Sequence, residues 1–242
     1  MKRKEETLRI NKYLAEQGLC SRREADHLVK MGWVRCNGKI IDSAGLQVSP
    51  SDEIELLPEA KQWLGSKFTV VLNKPPGFVS SQPEKGYKAA ASLVTSDNYA
   101  GPAPAPKINI RNLAPAGRLD IDSTGLLILT QDGSLAKKII GETSSVEKEY
   151  EIRVEGHLTD EKIKKLKHGL SLDGKKLKMA KVRRLGPQKL NMILTEGKKR
   201  QIRRMCQLLD LEVVRLKRIR VGKIELGRLP RGQWRLLKEN EK

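Results

Sequence analysis

The sequence predicts an α+β protein in which a small N-terminal module precedes a larger domain built on a mixed, largely antiparallel sheet. Three observations carry this. From residue 67 onward, β-rich runs and short amphipathic helices follow one another without the regular strand-helix rhythm of a parallel sheet. Residues 8–57 fit two helices and a hairpin into one short segment, and residues 58–66, bracketed by Pro58 and Gly65, read as a linker to residues 67–242. With 242 residues, 38% of them hydrophobic, the chain is long enough for both units to bury a core.

In the first module Ile10, Tyr13 and Leu14 share a helical face. After Gly18, Ser21 and Glu24 form the spacing of a capping box and open a second helix with Ala25, Leu28 and Val29 on its apolar side, closed by Gly32. Val34-Arg35-Cys36 and Lys39-Ile40-Ile41 flank Asn37-Gly38, a pair that tolerates the left-handed backbone of a tight hairpin, and Asp52-Glu53-Ile54-Glu55-Leu56 is the last strand. In the larger domain Phe68-Thr69-Val70-Val71-Leu72-Asn73 is a β run stopped by Lys74-Pro75-Pro76-Gly77, and a second run lies at Thr124–Thr130. Tyr150-Glu151-Ile152-Arg153-Val154 and Leu190-Asn191-Met192-Ile193-Leu194 alternate with period two. Asp160–Lys167 reads as a helix with acids first and lysines later, as the helix dipole favours, and residues 201–209 as another with Ile202, Met205, Cys206 and Leu209 on one face. Residues 82–116 are the least regular. The run Tyr99-Ala100-Gly101-Pro102-Ala103-Pro104-Ala105-Pro106-Lys107 is too rich in Pro and Ala to pair in a sheet, and an extended, mobile loop is expected there.

Lys and Arg number 48 against 29 Asp and Glu, a net charge of +19, which points to a polyanionic partner. The basic residues are spread through both halves and form no basic amphipathic helix, so a membrane surface is disfavoured against RNA or DNA. No apolar run approaches the roughly 20 residues of a membrane span. Residues 1–6 run into Leu8 and Ile10 without a signal-peptide apolar core, so a chain beginning here and a cytoplasmic location are expected. Cys20, Cys36 and Cys206, like His27, His157 and His168, are too scattered for a disulfide frame or a metal site. No nucleotide-cofactor motif is present, and nine aromatic residues are too few for a coat of base-stacking platforms. Arg22 and Arg23, at the first turn of the second helix, oppose the dipole; a bound anion would compensate.

In Gly117-Arg118-Leu119-Asp120-Ile121-Asp122-Ser123-Thr124-Gly125 an Arg-Leu-Asp turn leads into an apolar strand that reaches Asp132-Gly133. Spacing alone leaves Asp120 either a turn-former or a catalyst. The segment resembles the catalytic motif of the RsuA/RluB/E/F family of pseudouridine synthases, in which the Asp of Gly-Arg-Leu-Asp is catalytic. The likeness extends to Asn73-Lys74-Pro75-Pro76-Gly77, Glu147-Lys148-Glu149-Tyr150 and Glu196-Gly197-Lys198-Lys199-Arg200-Gln201-Ile202-Arg203-Arg204-Met205. Lys199 stands where relatives often carry a smaller polar residue, and the connection through residues 82–116 is longer than many of them use. Residues 8–57 resemble an S4 RNA-binding domain through Arg9-Ile10-Asn11-Lys12-Tyr13-Leu14, Cys20-Ser21-Arg22-Arg23-Glu24-Ala25 and Val34-Arg35-Cys36-Asn37-Gly38-Lys39.

The resemblance implies a pseudouridine synthase catalytic domain behind an S4-like module. It makes Asp120 the nucleophile or covalent catalyst, Arg203 its ion-pair partner and Tyr150 the ring that packs on the uracil. Arg9, Lys12, Arg22, Arg23 and Lys30 would face phosphates, with Arg118 near a flipped base. Read without the family, Tyr150 is also an ordinary core aromatic and Arg118 a turn residue. The isomerisation adds and removes nothing, so no cofactor and no metal are expected. Large-subunit (23S-type) ribosomal RNA, free or within a pre-ribosomal particle, is the first substrate implied, ahead of small-subunit ribosomal RNA and tRNA, and a monomer suffices. The rival reading is a non-catalytic RNA-binding or ribosome-assembly factor of the same fold, which would be expected to have lost one of Asp120, Tyr150 and Arg203. A DNA-binding protein lacks its helix-turn-helix or zinc pattern.

Overall fold

The computed structural model describes residues 7–83, 86–107, 109–141 and 143–241; residues 1–6, where a leaderless start is expected, lie outside them. The first module runs β1 (Leu8–Arg9), α1 (Ile10–Glu16), α2 (Arg22–Lys30), β2 (Val34–Cys36), β3 (Lys39–Ile40), β4 (Gln47–Val48), β5 (Ile54–Leu56) and α3 (Pro58–Gly65). Its capping box is formed: the Ser21 hydroxyl accepts from the Glu24 N–H, and the Glu24 carboxylate accepts from the Ser21 N–H. β2 pairs antiparallel with β3 and β5, and Asn37 (φ 49°) and Gly38 (φ 76°) make the left-handed turn between β2 and β3. The stretch expected as a linker is itself the helix α3. Pro58 sits in its first turn, where its lack of an N–H costs nothing, and Ala60 is fully buried against the module's core while Trp63 and Leu64 pack at the edge. The i, i+3, i+4 spacing of Ala60, Trp63 and Leu64 is the helical signal that the flanking Pro and Gly obscure.

The larger domain continues with β6 (Thr69–Lys74), β7 (Ala114–Pro115), β8 (Thr124–Thr130), α4 (Gly133–Ile140), β9 (Lys148–Glu155) and α5 (Asp160–Lys167). It ends with β10 (Ser171–Leu172), β11 (Lys175–Lys176), β12 (Lys181–Gly186), β13 (Lys189–Leu194), α6 (Gln201–Gln207), β14 (Glu212–Val221), β15 (Ile224–Glu225) and β16 (Trp234–Leu236). The main sheet has the order β12-β13-β9-β14-β8-β6-β16, parallel at β14–β8 and antiparallel at the other pairs along that path. β6 and β8 read as continuous apolar runs because both faces are covered. Val70, Leu72, Leu127 and Leu129 meet Trp234 on one side, while Val71, Leu126 and Ile128 meet Ile139 and Val221 on the other. A third cluster lies under α5 and α6, joining Ile163, Leu166, Ile202, Met205 and Cys206 to Ile152, Leu190, Met192 and Leu216.

The irregular stretch expected within residues 82–116 carries, where described, 3-10 turns at Ala90–Leu93, Ser96–Asn98 and Ile110–Asn112 and then β7 on β8, while residues 101–107 form a loop without a strand or helix. Its anchor is aromatic. The Tyr99 ring lies 4.7 Å from the Trp234 ring, the Ala100 N–H donates to the Trp234 carbonyl (2.9 Å), and the Trp234 indole N–H donates to the Thr95 carbonyl (2.7 Å).

Candidate active site

The Asp120 turn is held to the sheet from several directions. The Ser80 hydroxyl donates to the Leu119 carbonyl (2.6 Å) and accepts from the Leu119 N–H (2.9 Å), fixing the residue before Asp120 on both of its backbone groups. The Gly77 N–H donates to the Ile121 carbonyl, and the Ser123 N–H to that of Asp120. Beneath the turn, Lys74 is fully buried at the end of β6, and its ammonium donates to the carbonyls of Pro75 (3.0 Å), Ile121 (3.2 Å) and Ser123 (2.8 Å). Burial pushes Lys74 down to about 8, opposed by the charges of Asp122 and then Asp120. Only the charged amine carries the three N–H bonds that these carbonyls take up, so it is an ammonium at neutral pH. Arg218, also buried, donates to the carbonyls of Leu126 and Gly117 and secures the other end of the turn. Gly125 makes the parallel β8–β14 contact possible, because a Cβ there would lie 2.2 Å from the Arg218 carbonyl oxygen.

The guanidinium groups come from α6 and the residue before it. Arg200 stands at the N-cap with a left-handed backbone (φ 51°), and its Nη1 lies 3.7 Å from Asp120 Oδ2 and 3.8 Å from Asp122 Oδ2. The Arg203 side chain, only 14% exposed, places Nη2 3.0 Å from Asp122 Oδ2, while its Nη1 donates to the Val213 carbonyl (2.6 Å). This corrects the pairing expected for Arg203: its carboxylate partner is Asp122, and the cation beside Asp120 is Arg200. The reason is the anchor at Val213, which fixes one end of the guanidinium and leaves the other to the carboxylate two residues beyond Asp120.

Tyr150, on β9, is partly buried against two clusters, one containing Leu119 and the other Ile202, the residues before Asp120 and Arg203. The sheet register puts it in a cross-strand row with Met192, Arg218, Gly125 and Lys74. Its neighbours fasten the strand. Glu149 accepts from Arg220 (2.7 Å) and Asn191 (2.9 Å), Glu147 accepts from Arg220 (3.0 Å) and Lys181 (2.8 Å), and Lys148 donates to the Val146 carbonyl. Burial alone would push Glu149 up; the bonds from Arg220 and Asn191 outweigh it and hold the carboxyl below its ordinary range.

Arg118 is exposed on the turn, and Arg9, Arg22, Arg23 and Lys30 are exposed on the N-terminal module; Lys12 is half-buried, with an ion pair to Glu16 one helical turn on. None of the three thiols is disulfide-bonded. Burial pushes Cys206 up to about 12 and Cys20 up to about 11, so neither is a thiolate nucleophile at neutral pH. Among the described residues no cluster of His, Cys, Asp and Glu could hold a metal, and no helix is long and apolar enough to cross a membrane. Sequence reasoning missed Lys74, Asp122, Arg200 and Arg218 as parts of this site. A charged residue at the end of an apolar strand (Lys74) and a second acid in the turn (Asp122) were the available signals.

The fold is that of a pseudouridylate synthase: a solved structure described as "Crystal structure of pseudouridylate synthase" superposes with a TM-score of 0.67 at 28% identity, covering 97% of each chain. Residues 68–208 match the family described as RNA pseudouridylate synthase, and residues 8–54 match the S4 domain. Among curated proteins, the dual-specificity RNA pseudouridine synthase RluF of Escherichia coli strain K12 is 36% identical over 97% of this chain and 77% of its own length. The ribosomal large subunit pseudouridine synthase B of Bacillus subtilis is 34% identical over 96% of this chain and 93% of its own length. The chain belongs to the RNA pseudouridylate synthase family, and is thus an RNA-directed isomerase with an S4 module at its N-terminal end.

Proposed function

We propose that Asp120 is the catalytic carboxylate with which this enzyme converts a uridine of large-subunit ribosomal RNA to pseudouridine. The observation that carries the reading is the fixed turn: Ser80, Gly77 and Lys74 immobilise the backbone on both sides of Asp120, while its side chain stays 31% exposed. A carboxylate with pre-set geometry and open access is what attack at a sugar carbon or base ring requires. The reaction breaks the bond from uracil N1 to C1′, turns the held base and joins C5 to C1′; the C5 proton leaves and N1 gains one, so composition is unchanged. Arg200 and Arg203 lend positive charge to the detached uracil anion and the two carboxylates, and Tyr150 packs on the ring and moves a proton late in the sequence. The uridine has to be extruded from its fold, and contacts from Arg9, Lys12, Arg22, Arg23, Lys30 and Arg118 to phosphates offset the unstacking, about a few kcal/mol.

The choice of ribosomal RNA is supported by the Bacillus subtilis relative, named as a large-subunit synthase, and by the basic N-terminal module, a second anchor that favours an extended folded RNA, naked or in a pre-ribosomal particle. The protein acts as a cytoplasmic monomer in this reading. A second RNA class has one specific support: the Escherichia coli relative is named as a dual-specificity synthase. The test is to supply large-subunit RNA, small-subunit RNA and a tRNA pool to purified enzyme at one salt concentration and map new pseudouridines by chemical labelling and primer-extension stops. Wild type is expected to mark a unique large-subunit site, and Asp120→Asn to mark none while keeping its RNA affinity within about threefold. Turnover by a clean Asp120→Asn preparation would overturn the catalytic assignment; a site confined to tRNA would overturn the substrate.

A further inference from the structure

We infer that Tyr87 is the platform on which a base close to the flipped uridine stacks while the reaction proceeds at Asp120. The inference rests on Asp120 being the catalytic carboxylate of an RNA-modifying site. Of the nine aromatic residues Tyr87 alone is exposed, at 42%; the other eight are buried or half-buried, Phe78, Tyr99 and Trp234 among them in the cluster around Leu72 and Leu127. Exposure of a single ring says little by itself. Its place in the fold is what points to RNA.

Residues 77–80 tie Tyr87 to the Asp120 turn. Toward the turn, the Gly77 N–H donates to the Ile121 carbonyl (2.9 Å), and the Ser80 hydroxyl donates to the Leu119 carbonyl (2.6 Å) and accepts from its N–H (2.9 Å). Toward Tyr87, the Val79 N–H donates to the Lys88 carbonyl (3.1 Å) and the Ala90 N–H to the Val79 carbonyl (2.7 Å), a parallel pairing of Val79 with Ala89. Carried back two residues, that pairing sets Tyr87 level with Gly77, the residue bonded to Ile121. Two backbone spacings of about 5 Å each then separate this segment from the turn by about 10 Å. Gly77 (φ 83°) and Gly86 (φ 78°) both border open space, since a Cβ at either would meet nothing within 4 Å. About three stacked nucleotides at roughly 3.4 Å each span such a distance, and fewer where flipping splays the strand.

Extruding the uridine leaves its neighbours with an uncovered face. A phenol ring covers such a face whichever base presents it, and Lys88, exposed beside Tyr87, supplies a charge for the phosphate of the same nucleotide. Nine aromatics cannot coat a strand, but one ring here fixes the nucleotide that borders the reacting one.

The test takes the full chain and a synthetic RNA fragment spanning the uridine that the wild type modifies. It reads Kd, and single-turnover rate at saturating RNA, for wild type, Tyr87→Ala, Tyr87→Phe and Asp120→Asn. Tyr87→Ala is expected to raise Kd about tenfold, within the roughly 5- to 150-fold that one lost stacking contact costs, with the saturated rate within about threefold. Tyr87→Phe keeps the ring and should bind within about twofold of wild type. Fragments lacking the base at one of the three nucleotides on either side of the uridine locate the partner. At one position wild type should lose about as much affinity as Tyr87→Ala does, and there Tyr87→Ala should lose nothing further. A loss caused by disturbing the loop would instead multiply at every position. That outcome, an unchanged Kd in Tyr87→Ala, or a Tyr87→Phe as weak as the alanine variant would overturn the inference. Conversion by Asp120→Asn would defeat the catalytic reading itself, whereas an inert Asp120→Asn beside an unaltered Tyr87→Ala defeats only the role given to Tyr87.

Discussion

Lys74 is a full positive charge in an apolar strand end, kept there by three carbonyls and two nearby carboxylates. Lys74→Met preserves much of the volume but leaves those carbonyls unsatisfied, and a buried acceptor without a partner costs about 1–3 kcal/mol. The variant is expected to lose about 3 kcal/mol or more in urea unfolding and to slow catalysis with it, since the Asp120 turn loses its floor. Unchanged stability would mean that water replaces the ammonium. At this scale the sequence was legible where a residue type has a local signature. Ser21 and Glu24 announced their capping box, and Asn37-Gly38 its turn. Partners set by distant chain segments were not legible, because nothing local says that Arg203 meets Val213 and Asp122, or that Lys74 reaches across to Ser123.

Elements followed the same division. β6, β8, β9 and β13 show either an unbroken apolar run or period-two alternation, and all were anticipated to within a residue or two. β14, which joins the two halves of the sheet, was not. Its register shifts between Val213 and Arg215 and again between Arg218 and Arg220, and its buried Arg218 stands where alternation demands an apolar residue. The segment around Tyr99 is a loop, as its Pro and Ala content implies, but the ring pair and two hydrogen bonds that anchor it were not legible in the sequence. Trp234 is the receiving surface, 1% exposed and bonded to Thr95. Trp234→Ala is expected to cost about 3–5 kcal/mol and to open residues 95–100 to limited proteolysis; Trp234→Phe, which keeps the ring contact, should lose about 1 kcal/mol. Equal protease resistance in wild type and Trp234→Ala would show that the loop is held by something else.

For the whole molecule, the two modules are joined by one carboxylate and by a bond from the Lys137 ammonium to the Ala15 carbonyl (3.4 Å). Glu24 closes the α2 capping box, forms an ion pair with Lys67 and accepts from the Gly133 N–H (3.0 Å) at the start of α4. Gly133 permits the approach, since a Cβ there would lie 2.5 Å from the Ser21 hydroxyl oxygen. The contact falls just past the far end of β8, whose near end follows the Asp120 turn; seven residues at about 3.3 Å each put one strand length, about 23 Å, between anchor and turn. The N-terminal module is thereby held at a set reach. In the sequence Glu24 already had a complete explanation as a capping residue, which is why its second role was invisible. Burial alone would push the Glu24 carboxyl up, but the bonds from Lys67, Ser21 and Gly133 outweigh it and hold it below the ordinary glutamate value. In the acid range the unfolded chain therefore binds more protons at this site than the folded one, so its contribution is fully present above the ordinary glutamate value and is lost as pH falls through the folded value. Glu24→Gln keeps the shape and an acceptor but not the charge. The urea midpoint gap between wild type and Glu24→Gln should be widest near about pH 7 and shrink steadily toward about pH 3, as the wild type protonates and comes to resemble the variant. A gap that stays constant across that range would mean that Glu24 joins the modules through hydrogen-bond geometry alone and that its charge stabilises nothing.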